Sequence, residues 1–251
     1  MEEKIRFVEY EKLNLSGYTL IEGFPGLGLV GTIAVKYLVE RQKFEPAGHI
    51  ETDFFVPIIS IKNGKPVFPS RIFIHKRKKL VAILSEQIIP KMKVQDVAKA
   101  VVGWIGKKGI KKVISLEGIK TRGAPAKTEK IYGIADSEKA KEELKKYGVT
   151  IVQDGITTGV TALILLELSQ NKKTNSCSLL GNVQIAADYK ASAECLMKLN
   201  EMLDLKINVE PLFKEAKETE KALIKQLEGL KQTQDSVTKL ERSTGSMPMY
   251  T

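Results

Sequence analysis

Cysteine and histidine are almost missing from this sequence, with two of each in 251 residues. Cys177 and Cys195 cannot form a disulfide framework, and no Cys-x-x-Cys or His-Glu-x-x-His spacing offers a metal its ligands. Cys177 reads as a small core residue and Cys195 as a helix-face residue. His49 and His75 each stand alone, His75 at a strand end with basic neighbours that suggest a solvated edge. No serine sits in a nucleophile elbow. The paired acids Glu142 and Glu143 belong to a charged helix face, and Asp154 has no identifiable partner. A nucleophile, a base and an oxyanion site are not found together, so no catalytic residue, metal or cofactor is expected.

Long apolar runs are also absent. The longest, around Val160 to Leu168, is broken by Thr161 and Glu167 and falls short of the ~20 residues a bilayer span needs. No membrane partner is expected. Met1-Glu2-Glu3-Lys4-Ile5 is charged where a signal peptide would be apolar, which makes the cytoplasm the expected compartment. Aromatic residues make up 6%, with a single tryptophan, Trp104, placed on a helix where it reads as core. They are not interleaved with the basic residues, so nucleic acid is an unlikely partner despite the charge.

That charge is the outlying global quantity, +10 with 40 Lys and Arg against 30 Asp and Glu. The lysines are scattered in doublets at turns and helix ends, such as Lys107-Lys108, Lys111-Lys112 and Lys172-Lys173. They suit solvated edges and helix C-termini.

Hydrophobic periodicity divides the first 205 residues into alternating strands and helices. Tyr18–Glu22 reads as a strand, followed by a glycine turn and a helix over 29–41. Strands are expected at 48–51, 56–61, 67–75 and 80–85, with Asn63-Gly64 marking a hairpin. Helices at 94–107, 136–147, 160–168 and 189–203 alternate with strands at 112–118, 131–135, 149–152 and 177–183. This pattern specifies an α/β fold with a central mixed, largely parallel sheet and helices on both faces. A long C-terminal helix is expected from about Pro211 to Arg242. Val209, Ala216, Leu223, Leu230 and Val237 recur every seven residues, which fits either a helix pair or a helix lying on its own domain. The expected organisation is a globular domain over 1–205, a helical stalk over 206–242 and a flexible tail over 243–251.

Two glycine turns and the tail are the candidate sites. Gly26, Gly28 and Gly31 match the spacing of a dinucleotide fingerprint after a strand and before a helix. Backbone amides there could hold a phosphate, but the following region lacks a convincing strand-end acid for a ribose; the alternative is that the glycines let the helix pack closely on the sheet. Thr157 and Thr158 lie in a second small-residue turn, Gly155 to Gly159, that opens a helix. Together the turns could line one crevice for a nucleoside or nucleotide. The tail ends in Met249-Tyr250-Thr251 after the small, polar segment 243–248. A hydrophobic residue, a Tyr anchor and a terminal carboxylate suit capture by another protein's pocket; a frayed end is the alternative.

Three stretches share a resemblance. Ile21-Glu22-Gly23-Phe24-Pro25-Gly26-Leu27-Gly28-Leu29-Val30-Gly31 resembles the opening motif of the proteasome assembly chaperone family. Leu116-Glu117-Gly118 and the segment from Asp154-Gly155 through Thr158-Gly159-Val160 resemble its later landmarks. The resemblance covers about residues 1 to 205. It implies a fold similar to that of purine nucleoside phosphorylases, without established catalytic residues. It also implies that Met249, Tyr250 and Thr251 form a hydrophobic-Tyr-X ending of the kind proteasome activators insert between α-subunits of the 20S core. A homo-oligomer, tetramer or pentamer, would present several such tails, and a paralogous subunit is a further partner the family suggests.

Overall fold

Leu80–Ser85 is buried at every position, and Lys112–Ile119 and Asn175–Asn182 at all but their ends. Strands buried on both faces must lie inside a sheet covered on both sides. The computed structural model, which describes residues 5–120 and 131–218, places them there. Its eleven strands are β1 (Arg6–Glu9), β2 (Thr19–Gly23), β3 (Glu45–Glu51), β4 (Ser60–Lys62), β5 (Lys65–Val67), β6 (Ser70–His75), β7 (Leu80–Ser85), β8 (Lys112–Ile119), β9 (Tyr132–Ala135), β10 (Thr150–Ile151) and β11 (Asn175–Asn182). Nine form one sheet in the order β1-β3-β6-β7-β2-β8-β11-β9-β10, and β4 and β5 form a separate ribbon. The centre, β7-β2-β8-β11, is parallel. The left flank, β1-β3-β6, pairs antiparallel onto β7, and β9 pairs antiparallel onto β11. The sheet is thus mixed, parallel where it is covered by helices on both faces.

Strand periodicity assigns the faces. Ile21, Ile114, Leu116 and Leu179 pack with α1 (Val30–Arg41) and α5 (Tyr189–Leu203). Leu20, Val81, Ile83 and Val113 pack on the other side with α2 (Val94–Lys108) and α4 (Val160–Asn171). The remaining helix, α3 (Glu138–Lys146), contributes Leu144 to the first layer and begins at Ser137, whose hydroxyl accepts from the Ala140 amide. Gly109 and Gly148 end their helices with positive φ. No helix among the described residues is long and apolar enough to cross a membrane.

Several expectations need correction. The strand expected over 56–61 is reduced to Ser60–Lys62, because Pro57 has no amide to donate to a ladder. The hairpin at Asn63-Gly64 forms, with φ of 50° and 72°, but as a ribbon outside the main sheet. β1 was not foreseen: its four residues gain definition only by pairing with β3, with Phe7 stacked on Trp104. His75 is buried, edge-on to Phe44, and its Nδ1 accepts from the Lys78 amide.

The segment beyond residue 205 does not leave the body at once. Leu205, Ile207 and Leu212 are buried in the layer of α1 and α5, and Val209 and Phe213 pack against it. Tyr37 Oη donates to the Asn208 carbonyl at 2.8 Å. Residues 210–218 are helical. Over this stretch the seven-residue stripe lies on its own domain. Its continuation, and the tail over 243–251, fall outside the described residues.

Candidate functional site

Two acids sit inside the best-buried strands. The sequences Leu20-Ile21-Glu22-Gly23 on β2 and Leu116-Glu117-Gly118 on β8 each carry a Glu in an apolar run. In the β2–β8 register Glu22 lies opposite Ser115. Because strand side chains alternate, Ser115 and Glu117 share a face with Glu22. Both carboxyls are buried, and so are Ser115 and Thr161. Thr161 Oγ1, in the first turn of α4, donates to Glu22 Oε2 at 3.3 Å and also interacts with Glu117. Glu117 Oε1 accepts from the amides of Leu27, at 3.1 Å, and Gly118, at 3.0 Å. Glu22 Oε1 has no hydrogen-bond partner among the described residues.

Burial raises both carboxyls, since the charged form loses its hydration. Glu22 is pushed up to about 8, first by burial and further by the like charge of Glu117; Ser115, Thr161 and the Phe24 backbone pull the other way. Glu117 is pushed up to about 7 by burial, opposed by the Gly118 and Leu27 amides and by Thr161. At neutral pH Glu22 therefore holds a proton. The two raised carboxyls sit on one face at the carboxyl end of the central strands.

The glycine turn that reads as a phosphate cradle is built around this pair. A Cβ on Gly26 would stand 2.1 Å from Glu117 Oε1, and one on Gly31 would stand 2.2 Å from the Leu116 carbonyl oxygen. The helix α1 thus starts in backbone contact with β8. Gly28 has φ 65° and Leu29, the residue before α1, has φ 52°. The Leu27 amide, which a bound phosphate would use, is taken by the protein's own carboxylate. Both glycine turns converge on the acids: the first through Leu27, the second through Thr161 two residues beyond Gly159. The sequence reading passed over Glu22 and Glu117 as site residues. The available signal was the repeated apolar-Glu-Gly at two strand ends.

Thr157 and Thr158 are exposed. Thr157 helps line a cavity of about 790 Å3 with Ile119, Tyr132, Ile134, Ile151 and Ile156. Gly26 and Gly28 are not part of that lining, so the two turns do not share this crevice. Cys177 and Cys195 are free and buried; burial raises both thiols, Cys177 to about 12. Trp104 is core, with its Nε1–H donating to Glu9 Oε1 at 2.9 Å. Among the described residues no cluster of His, Cys, Asp and Glu could hold a metal. Met249, Tyr250 and Thr251 lie outside the described residues.

Comparison with known proteins adds a family to this architecture. The PAC2 family model matches residues 20–227. The chain is 32% identical over 250 residues, the full length of both, to an uncharacterised protein of Methanocaldococcus jannaschii. It is similar to the crystal structure of PbaA from Pyrococcus furiosus, an archaeal homologue of proteasome-assembly chaperone, with 30% identity and a TM-score of 0.78 over 96% of this chain and 98% of that one. PbaB of the same organism, an archaeal proteasome activator, shares the fold with 22% identity and a TM-score of 0.75 over 90% and 99%.

Proposed function

The chain belongs to the PAC2 family, and on that premise we propose that it is a non-catalytic proteasome assembly chaperone or activator acting in the cytoplasm. In this reading it forms a homo-oligomer whose C-terminal tails dock on the α-ring of the 20S core. The observation that carries the reading is the full-length likeness to PbaA, at an identity high enough to reach beyond fold alone.

The proposed docking residues are Met249, Tyr250 and Thr251, at the end of a stalk and tail. Tyr250 supplies a rigid anchor, and the Thr251 carboxylate a charge-assisted contact to a lysine in the receiving pocket. One such tail binds weakly. Several tails on one oligomer make each later contact intramolecular and raise avidity without new contacts.

The interior chemistry favours this reading over a nucleoside or nucleotide site at Gly26 and Gly28. A phosphate there would have to displace Glu117 from the Leu27 amide. The deciding experiment is a pull-down with purified 20S core, using the intact chain and one lacking Met249–Thr251. Retention of the intact chain and loss on truncation, with the oligomer preserved, is the expected result. Equal retention of both rejects the tail mechanism.

A further inference from the structure

The loops at the carboxyl end of β7 and between β3 and β6 expose large aliphatic side chains. Ile59 is 66% exposed, Ile61 74%, Ile88 70% and Met92 91%, with Val56 and Ile58 beside them also exposed. They form one patch, because the loops are fastened to one another. Gln87 Nε2 donates to the Val56 carbonyl at 3.2 Å, Ser60 Oγ to Glu86 at 2.7 Å, and Lys93 lies over the Phe54 ring. The β4–β5 ribbon at its edge pairs Ile61 with Pro66, both exposed. A two-stranded ribbon with bare aliphatic residues is marginal in water without a covering layer.

Two quantities say what covers the patch. These six residues expose on the order of 700 Å2, above the roughly 300–600 Å2 of the largest patch on a typical monomer. The same figure approaches the ~800 Å2 each partner gives to a standard interface. The second quantity is charge. Chains of net charge +10 repel one another, yet here four of the nearby cations are matched within the chain, leaving Lys65 and Lys91 to solvent. Lys36 and Arg71 both meet Glu86, at 2.7 and 2.5 Å, Lys62 meets Glu40 at 3.6 Å, and Lys93 meets Asp96 at 3.8 Å. Burial alone would raise Glu86, but Lys36, Ser60 and Arg71 hold it below the usual carboxylate range. Like-charged copies can approach where part of the charge is matched internally and the surface is apolar.

We propose that this patch, led by the β4–β5 ribbon and the Ile88–Met92 loop, is the face on which a second copy of this chain packs. The proposal rests on the homo-oligomer part of the functional reading and gives it an address. The ribbon is tethered before assembly, so little ordering opposes association.

The test is the mass of the full chain by light scattering at micromolar concentration, for wild type, Ile59→Asp/Ile61→Asp and Ile88→Asp/Met92→Asp. The replaced side chains are exposed, so circular dichroism and the thermal midpoint at low concentration serve to identify folded variants. The expected result is an oligomeric wild type whose mass falls to that of a monomer or smaller assembly in a folded variant, with apparent Kd raised at least a hundredfold. A monomeric wild type, or undiminished mass in both folded variants, overturns the proposal. The 20S pull-down is scored separately. Tail truncation that abolishes 20S retention without changing mass supports docking whatever the patch does. A patch variant that loses mass supports the interface even if no 20S is retained.

Discussion

Glu22→Gln isolates the chemistry of the buried acid pair, because the amide has nearly the shape of the protonated acid and cannot ionise. The unfolded chain releases the Glu22 proton near 4.5, whereas the folded chain keeps it to about 8. Stability from this group is full below pH 4.5, falls as pH rises toward 8, and is flat above that. At pH 7 the span from 4.5 is 2.5 pH units, which at 1.36 kcal/mol each is about 3 kcal/mol of lost stability. Glu22→Gln should recover up to that amount at pH 7 and about 1 kcal/mol or less at pH 5. For a protein of this size the pH 7 gain corresponds to a midpoint rise of roughly 6–12 °C. Glu117, raised to about 7, titrates through the same window, and the interacting pair titrates as a unit, so the two effects do not simply add. The assay is equilibrium urea unfolding of both proteins from pH 5 to 8.5. Curves that stay parallel across that range would refute the proton-holding pair, whatever their absolute offset.

Four further outcomes follow from particular contacts. Gly26→Ala sets a Cβ 2.1 Å from a carboxylate oxygen pinned by two amides, and should cost about 1–3 kcal/mol in denaturant unfolding. Gly103→Ala in α2, with no atom within 4 Å of the new Cβ, should instead stabilise by up to ~1 kcal/mol. Trp104→Phe removes the bond to Glu9 and should lower stability by roughly 1–2 kcal/mol, read by circular dichroism because this is the sole tryptophan. Truncation after residue 205 strips Ile207 and Leu212 from the core and should lower the thermal midpoint markedly compared with truncation after residue 218, which keeps those contacts.

Residue pattern alone was enough for the α/β class, the alternation of elements and most of their positions. Apolar runs bounded by turn residues are local information, and the four parallel central strands are the ones buried on both faces. The Asn63-Gly64 turn was equally legible, since φ > 0 at both positions is a local demand. β1 was not, because an edge strand of four residues is defined by its partner. His75 was misjudged because its neighbours in sequence are basic while its neighbours in space are Phe44 and the Lys78 amide.

The glycine turn separates the two kinds of information most clearly. Spacing established that Gly26, Gly28 and Gly31 open a helix against a sheet, and left both phosphate binding and close packing to be decided. Which of them holds depends on what approaches from ninety residues away in the chain, and that is the Glu117 carboxylate on the Leu27 amide. Likewise, the heptad by itself did not choose between a partner helix and its own domain, and over the described stretch it is the placement of Leu212 and Phe213 against α1 and α5 that chooses the latter. Periodicity reports that a face must be buried; only the folded chain supplies the surface that buries it.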